Sequence, residues 1–311
     1  MTEILNQLGS KRKPFIFIID FELSNLEFFD IYNKNILFDF DGFSNFKSDI
    51  KEMEYYLYKY PIEYSIFKNK FDRVIEHIRN GDCYLLNLSF PTAIDTNLSM
   101  EYIIKKAKAK FRFYLKDKFL FFSPERFIKI YNNKIYTYPM KGTIEESISN
   151  ARNIILNNQK EFSEHLMVVD LLRNDINIVA KNTTVSKFRY ITEIEAGESK
   201  LLQVSSEIVG ELQDNWQDRM GDLIYALLPA GSISGTPKKK VIQIIKDVEG
   251  YNRGYFSGIC GYFDGKNFDS SVMIRFIEKN NQDLIYKSGA GITVESNPIS
   301  EYNEIIRKVY I

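Results

Sequence analysis

Two pairs of glutamates stand at helical spacing in the second half of the sequence. Glu161 and Glu164 are three residues apart in a stretch whose apolar residues recur with a helical period, and Glu301 and Glu304 repeat the arrangement. Residues three apart are neighbours on a helix surface, so each pair holds two like charges together and favours a bound cation. With no Cys or His ligand inside either Glu-x-x-Glu motif, four carboxylates are typical of an oxygen-only site for a hard cation, Mg²⁺ before Ca²⁺. The alternative for either pair alone is a solvated helix face.

Further reactive groups stand at predicted junctions between elements. Lys141 is followed by a glycine and by Thr143, and all three residues lie between a predicted strand and a predicted helix. Glu125 follows a run of phenylalanines, where desolvation would raise the pKa of a carboxyl group toward general-acid use. The run Gly289-Ala290-Gly291 follows a predicted strand and lets backbone N–H groups approach a ligand closely. The alternative for Lys141 is an exposed, solvated side chain. The alternative for the run Gly289-Ala290-Gly291 is an ordinary turn or β-bulge.

Helices and strands alternate along the chain in a way that would position these groups. The periodicity predicts helices over 66–80, 99–110, 145–158, 160–173, 216–228, 238–248 and 298–309, with a loop at 139–147. Predicted strands come in hairpin-spaced runs between these helices, which indicates mostly antiparallel sheets with helices packed on the outside. We therefore expect an α+β fold in a single large domain, with 1–65 as a short strand-rich segment and 66–311 as the catalytic domain.

Composition and charge narrow the class of protein. The 311 residues include 41 basic and 41 acidic side chains, so no net charge steers the chain toward nucleic acid or anionic membrane. No apolar run is long enough to span a bilayer. Cys83 and Cys260 are far apart and have no metal-ligand spacing, which suits a reducing compartment. These features predict a cytoplasmic protein without nucleic-acid or membrane partners.

Several short motifs resemble those of the chorismate-utilising enzymes, a superfamily that includes anthranilate, aminodeoxychorismate, isochorismate and salicylate synthases. The motifs are Gly81-Asp82-Cys83-Tyr84 with Asn87, Ser123-Pro124-Glu125, Pro139-Met140-Lys141-Gly142-Thr143, the run 164–175, the run 231–238, Arg253-Gly254-Tyr255, Val272-Met273-Ile274-Arg275, Gly289-Ala290-Gly291-Ile292 and Glu301-Tyr302-Asn303-Glu304. They follow the family order over about 81–308. The resemblance implies the chorismate-binding fold and places the chorismate-binding catalytic domain in 66–311.

The resemblance also implies roles for individual residues. Glu164 and Glu304 match direct Mg²⁺ ligands, and Glu161 and Glu301 match residues that act on the metal through water. Positions that hold the substrate carboxylates are matched by Tyr255, Arg275, Lys308 and the backbone of Gly289, Ala290 and Gly291. Glu125 matches the general acid that assists loss of the C4 hydroxyl of chorismate, and Thr143 matches a substrate-contacting hydroxyl.

Lys141 distinguishes between members of the superfamily. Aminodeoxychorismate synthase component I resembles this chain in having Lys at that position, where anthranilate synthase and the water-adding members have Ala. The resemblance implies conversion of chorismate and ammonia to 4-amino-4-deoxychorismate, on the route to 4-aminobenzoate and folate, through a lysine-bound intermediate. It also implies a separate glutamine amidotransferase subunit as the source of ammonia. The alternatives are anthranilate synthase component I and a catalytically inactive paralogue that serves as a binding subunit.

The sequence departs from the family pattern at three places. Leu85 stands where water-adding members have a Lys base and nitrogen-adding members usually have Gln, so we expect no water addition. Gln203 falls where a His is common, so an amide would have to remake its hydrogen bond to the substrate. The N-terminal half is short, and we expect no tryptophan effector site.

Overall fold

The structure, a computed structural model, describes residues 1–196 and 199–311. Its helices are α1 (Thr2–Ser10), α2 (Tyr64–Arg79), α3 (Met100–Lys106), α4 (Ala151–Asn157), α5 (Gln159–Val179), α6 (Met220–Leu227), α7 (Gly231–Ser234), α8 (Lys238–Glu249) and α9 (Pro298–Arg307), with a 3₁₀ turn at Trp216–Arg219. Its strands are β1 (Phe15–Ile19), β2 (Leu26–Phe29), β3 (Ile36–Phe40), β4 (Phe43–Ser44), β5 (Leu57–Tyr60), β6 (Leu85–Thr96), β7 (Phe111–Leu115), β8 (Phe119–Ser123), β9 (Arg126–Tyr131), β10 (Lys134–Thr137), β11 (Met140–Glu145), β12 (Lys181–Ala196), β13 (Ser199–Glu211), β14 (Gly235–Thr236), β15 (Ile259–Phe263), β16 (Phe268–Val272), β17 (Phe276–Asn280) and β18 (Asp283–Ile292).

The strands form two sheets in the described part of the chain. The first has the order β11-β13-β10-β9-β16-β15-β1-β2, with β12 paired to β13. The second has the order β14-β6-β18-β17-β8-β7-β3-β4, with β5 paired to β6. The pairs within both sheets are antiparallel, including the long pair of β6 and β18. The predicted α+β fold with antiparallel sheets is confirmed.

The side chains of β1 show how the layers stack. Phe15, Phe17 and Ile19 pack with residues of α1, α5 and α6 in one apolar cluster. Ile16 and Ile18 point to the opposite face, as alternate residues of a strand do, and pack with phenylalanines of the second sheet. Helices α2 and α8 cover the other face of the second sheet through a further apolar cluster. The layers therefore run helix, sheet, sheet, helix.

The N-terminal segment contains a helix that the sequence analysis did not predict. Helix α1 packs against the 3₁₀ turn and α6 at very close range, because a Cβ atom added at Gly9 would lie 2.2 Å from the backbone oxygen of Gln217. A Cβ at Gly221 would similarly lie 2.1 Å from the oxygen of Thr2. Two turns of amphipathic sequence are too short to be recognised without this partner. Strands β1 and β2 join the first sheet, and β3, β4 and β5 join the second.

Several predicted boundaries differ from the structure, including that of α5, which ends at Val179 and not at 173. The segment 139–147, predicted as a loop, contains β11, which pairs with β13. The helix predicted over 145–158 is limited to α4, since Asn150 adopts a left-handed backbone at φ 60° immediately before it. The helix predicted over 99–110 ends at Lys106, and β7 begins at Phe111.

Candidate active site

A cavity of about 700 Å³ collects most of the predicted site residues. Residues of β6, β11, β18, α5, α7 and α9 contribute to its lining. The predicted residues that line it are Glu125, Lys141, Thr143, Glu161, Glu164, Gln203, Arg275, Gly289, Gly291, Glu301, Glu304 and Lys308. Segments separated by more than a hundred residues in sequence therefore meet at one place, which their separate motifs could only suggest.

Two predicted residues lie outside the lining. The hydroxyl of Tyr255 donates to Glu27 Oε1 at 2.6 Å, and its ring stacks on Phe119 with centroids 5.0 Å apart. Burial raises the pKa of this phenol, and Glu27 raises it further. The neighbouring residue that lines the cavity is Phe256. Ala290 is fully buried in the apolar cluster under α2 and α8, whereas the glycines on either side of it face the cavity.

Lys141 enters the cavity from an irregular strand. The pairing of β11 with β13 shifts register between Met140 and Thr143, and Gly142 has φ 82°. Such a β-bulge bends a strand and redirects a side chain. The ammonium nitrogen of Lys141 lies 3.4 Å from Glu164 Oε2. A Cβ at Gly291 would come within 3.7 Å of this nitrogen and 3.4 Å of Leu85 Cδ1, so the absence of a side chain there leaves space at the amine.

Glu125 has the environment of a proton donor. It follows β8, and its Oε1 accepts a hydrogen bond from the hydroxyl of Ser232 in α7. Burial raises the pKa of this carboxyl group, while the Ser232 hydrogen bond and the charges of Lys141 and Lys308 act to lower it. The direction agrees with the desolvation expected after a run of phenylalanines. A carboxyl group of raised pKa can remain protonated where an exposed one would not.

The two glutamate pairs lie on α5 and α9, each of which begins at a capping asparagine. Asn158 Oδ1 accepts from the backbone N–H of Glu161 at 3.1 Å. Asn297 Oδ1 accepts from the N–H groups of Ile299 and Ser300 at 3.0 and 3.1 Å. Satisfying these free N–H groups fixes where each helix starts. The caps therefore set which side chains of the first turns face the cavity.

The four carboxylates offer the donors that Mg²⁺ takes, although they are not gathered around one point. Glu164 contacts Lys141, and Glu304 Oε1 lies 2.7 Å from Lys308 Nζ. Within 1–196 and 199–311, no three acidic, His or Cys side chains converge as a metal cluster. A Cβ atom added at Gly142 would lie 3.1 Å from Glu161 Oε2. The absence of a side chain at Gly142 therefore leaves room beside the Glu161 carboxylate. The oxygen-only donor set on the wall of one cavity fits a hard divalent cation.

A buried histidine adds no charge beside this acidic wall. His165 follows Glu164, is fully buried and lies 2.7 Å through Nε2 from the hydroxyl of Ser206. Burial lowers the pKa of His165 to about 4, with contributions from Arg189 and Lys141. The imidazole is therefore neutral at pH 7, and its hydrogen bond with Ser206 links α5 to β13.

The polar lining also includes Gln203, which the sequence analysis named, and residues that it did not name. Gln203 pairs with Thr143 across β11 and β13, and its buried Oε1 has no hydrogen-bond partner among the described residues. Ser232, Tyr286 and Lys287 also line the cavity. Ser232 lies in the 231–238 motif, so that motif could have identified it. Tyr286 precedes the Gly289-Ala290-Gly291 run and carries no motif of its own.

Comparison with known proteins identifies the family. Residues 44–311 match the protein family described as "chorismate binding enzyme". The chain is a member of the chorismate-binding enzyme family. A solved structure of MenF, the menaquinone-specific isochorismate synthase of Escherichia coli, superposes with a TM-score of 0.76 at 16% identity, covering 98% of this chain and 79% of that one. At that identity the likeness supports the fold alone.

Curated relatives of this chorismate-binding enzyme differ in the reaction they are named for. A protein of Haemophilus influenzae named "Uncharacterized PabA-like protein" is 44% identical over 99% of this chain and 95% of its own length. Aminodeoxychorismate synthase component 1 of Salmonella typhimurium is 33% identical over 78% of this chain and 56% of its own length. Anthranilate synthase component 1 of Aquifex aeolicus is 37% identical over 60% of this chain and 38% of its own length.

In the described residues, no helix is long and apolar enough to cross a membrane.

Proposed function

We propose that this chorismate-binding enzyme is an aminodeoxychorismate synthase, which converts chorismate and ammonia to 4-amino-4-deoxychorismate. The observation that carries the proposal is the position of Lys141, whose amine enters the family's cavity from a β-bulge within reach of Glu164. A lysine that touches bound substrate can act as a nucleophile. Aminodeoxychorismate synthase component 1 of Salmonella typhimurium, 33% identical over 78% of this chain, is among the relatives and supports the proposal.

The proposed reaction divides one difficult substitution into two steps. The unprotonated amine of Lys141 attacks C2 of chorismate, both conjugated ring double bonds shift toward C4, and the C4 hydroxyl leaves as water after Glu125 donates a proton to it. Ammonia then attacks C4, both double bonds shift back, and the bond between C2 and Nζ breaks to release the lysine as a neutral amine. The nitrogen now on C4 gives up one proton, which returns Glu125 to its acid form. The overall change is chorismate plus ammonia to 4-amino-4-deoxychorismate plus water. Each step uses a residue on the wall of the same cavity.

The remaining polar residues of the cavity are assigned to binding. Glu164 and Glu304 would hold Mg²⁺ directly, with Glu161 and Glu301 acting through water. Bound there, Mg²⁺ would supply positive charge to the substrate's ring carboxylate. Substrate contacts are assigned to Arg275, Lys308, Thr143, Gln203 and the backbone at Gly289 and Gly291, all of which line the cavity.

Ammonia supply and cellular location follow from this function as proposals. A separate glutamine amidotransferase subunit would deliver ammonia, and the enzyme would act in the cytoplasm on the route to 4-aminobenzoate and folate. The relative named as component 1 of its synthase supports a multi-component assembly. Co-purification of a glutaminase with the chain from its native lysate would test the partner.

Leu85 and Lys141 argue against the competing reactions. Leu85 lines the cavity and brings no base that could activate water. Anthranilate synthase component I is the second candidate function, supported by the relative from Aquifex aeolicus. The presence of a lysine that enters the cavity disfavours it, because that reaction does not call for a lysine-bound intermediate. A catalytically inactive binding subunit is disfavoured because Glu125, Lys141 and the four glutamates all line the cavity.

One experiment separates these candidates. The chain is incubated with chorismate, MgCl₂ and ammonium, and the product is identified by mass and fluorescence. In a parallel reaction without ammonium, the quenched protein is analysed by mass spectrometry. We expect 4-amino-4-deoxychorismate in the first reaction and a chorismate-derived adduct on Lys141 in the second.

The controls are two lysine substitutions. Lys141→Ala should lose the adduct and the product, whereas Lys105→Ala should keep both, because Lys105 pairs with Glu101 on the surface of α3. Anthranilate as the product would overturn the proposed function in favour of the second candidate. Wild-type amination by Lys141→Ala would show that the lysine is not the nucleophile.

A further inference from the structure

An ion pair in the wall of the cavity has no part in the proposed reaction. Asp175 lies near the end of α5 and lines the cavity, and its Oδ2 is 2.7 Å from Nζ of Lys238, the first residue of α8. Both side chains are mostly buried. Burial raises the pKa of the Asp175 carboxyl group, while the charge and hydrogen bond of Lys238 lower it. Since removing two charges from water is costly, a pair at this depth calls for a reason beyond stability.

Lys238 closes the segment 228–237 into a loop. Its ammonium group also donates to the backbone oxygen of Leu227, the last residue of α6, at 2.8 Å. Both ends of the segment therefore meet at one nitrogen. The short helix α7 lies inside the segment, and a Cβ atom added at Gly231 would lie 2.9 Å from the same Asp175 Oδ2. One carboxylate oxygen thus lies against both the closing lysine and the first residue of α7.

Helix α7 carries the hydroxyl that binds Glu125. Ser232 is the second residue of α7 and donates to Glu125 Oε1. The charged groups that act on this carboxyl group are Lys141 of β11 and Lys308, which follows α9. Of these contributions, the Ser232 hydrogen bond is the one that depends on where α7 lies. A hydrogen bond weakens steeply as its length and angle depart from the ideal, so a displaced α7 would change the proton affinity of Glu125.

We propose that Asp175 and Lys238 are positioning residues, which hold α7 against α5 and so keep Ser232 bonded to the general acid. The inference rests on the proposed function in taking Glu125 as that acid. A rival explanation is that the two charges act on Glu125 directly through space. The explanations predict different signs, because loss of a positive charge raises the pKa of a nearby carboxyl group and loss of a negative charge lowers it. Loss of either residue breaks the same pair.

Lys238→Met and Asp175→Ala each break the pair, with opposite changes of charge. The measurement is kcat for chorismate consumption as a function of pH, with saturating Mg²⁺ and ammonium. We expect both variants to move the alkaline limb to higher pH, as far as Ser232→Ala moves it. Lys240→Met is the matched control, because Lys240 lies on the same helix but pairs with Asp82 at 3.5 Å in a more exposed position. It should keep the wild-type limb.

Infrared spectroscopy measures the same carboxyl group without any reaction. The carboxyl band of Glu125 is identified by its loss in Glu125→Gln and is titrated in protein without chorismate. We expect this band to persist to higher pH in Lys238→Met and Asp175→Ala than in the wild type. Circular dichroism checks that each variant is folded, and Lys238→Gln and Asp175→Asn are the milder replacements for a variant that is not.

A combined variant tests whether the pair acts through α7. With Lys238→Met and Ser232→Ala together, the limb should lie where Ser232→Ala alone places it. A further shift in the combined variant, opposite shifts in Lys238→Met and Asp175→Ala, or an unshifted limb in both would overturn the inference. A shifted carboxyl band in an enzyme that makes anthranilate would overturn the proposed function and leave this inference standing. An unshifted band in an enzyme that makes 4-amino-4-deoxychorismate would do the reverse.

Discussion

At the scale of single residues, burial and hydrogen bonding act in opposite directions on Glu125. Burial raises the pKa of its carboxyl group, and the hydroxyl of Ser232 lowers it by stabilising the charged form. A general acid must be protonated to act, so activity should fall as pH rises through this pKa. Ser232 therefore contributes, with burial and the charges of Lys141 and Lys308, to where the alkaline limb of the pH profile lies.

Ser232→Ala should move that limb to higher pH. Without the hydroxyl, one of the causes that lower the pKa of Glu125 is removed, and the carboxyl group stays protonated to higher pH. The measurement is kcat for chorismate consumption as a function of pH. Glu125→Gln should reduce kcat about 10²–10⁴-fold and remove this limb. A shift to lower pH in Ser232→Ala would contradict the assignment of Glu125 as the acid.

Glu164→Gln tests the proposed metal ligand. The substitution keeps the size of the side chain and removes the negative charge that attracts a cation, so the Mg²⁺ concentration for half-maximal activity should rise about tenfold or more. Activity is followed in a Mg²⁺ titration after removal of metal with a chelator. Glu101→Gln, which changes an exposed glutamate on α3, is the control and should match the wild type. An unchanged Mg²⁺ dependence in Glu164→Gln would rule out this ligand.

At the scale of elements, the capping residues connect helix stability with the site. Asn297 begins α9, which carries two of the four glutamates, whereas Ser99 begins α3, which carries none of the proposed site residues. Ser99 Oγ accepts from the backbone N–H of Tyr102 at 3.1 Å, so the two caps work in the same way. The pair allows stability and function to be separated.

Asn297→Ala and Ser99→Ala should each reduce the free energy of unfolding by about 1 kcal/mol. Only Asn297→Ala should also lower kcat/KM for chorismate, because the first turn of α9 positions Glu301. Urea unfolding and steady-state kinetics provide the two measurements. Equal kinetic losses in both variants would indicate that general stability, and not the placement of α9, limits activity.

Elements with a strong local pattern were predictable from the sequence, and elements that depend on a distant partner were not. The helices that carry Glu164 and Glu304 have apolar faces with a clear period, and both were predicted. Strand β11 looks like a loop because it contains Gly142, and only its pairing with β13 makes it a strand.

At the scale of the whole molecule, one buried ion pair ties the two sheets together. The side chains of Arg253 and Glu249 are almost completely buried. Nη2 of Arg253 lies 2.6 Å from Oε1 of Glu249. Arg253 also donates to the backbone oxygen of Asn87 on β6, at the cavity wall, at 2.7 Å. Its own backbone N–H donates to Glu22, in the segment that follows β1 of the first sheet, at 2.9 Å. The pair therefore connects both sheets to the site.

Glu249→Ala should lower the free energy of unfolding by about 3–5 kcal/mol, because it leaves the guanidinium of Arg253 buried without its acid. Glu101→Ala, which breaks an exposed pair on α3, should cost no more than about 0.5 kcal/mol. Urea denaturation followed by circular dichroism measures both. A loss below about 1 kcal/mol for Glu249→Ala would show that water or another residue replaces the carboxylate.

The pairing of β1 with β15 has a consequence for the time course of synthesis. Strand β1 (Phe15–Ile19) is synthesised long before β15 (Ile259–Phe263). The edge of β1 that pairs with β15 stays open until β15 has been made. At about 5–20 residues per second on the ribosome, the wait is roughly 10–50 s. During that interval the nascent chain presents a wholly apolar strand with one open edge, a hazard for aggregation. We expect overexpression yield to depend on translation speed and chaperone supply, even though the finished fold covers this strand on both sides.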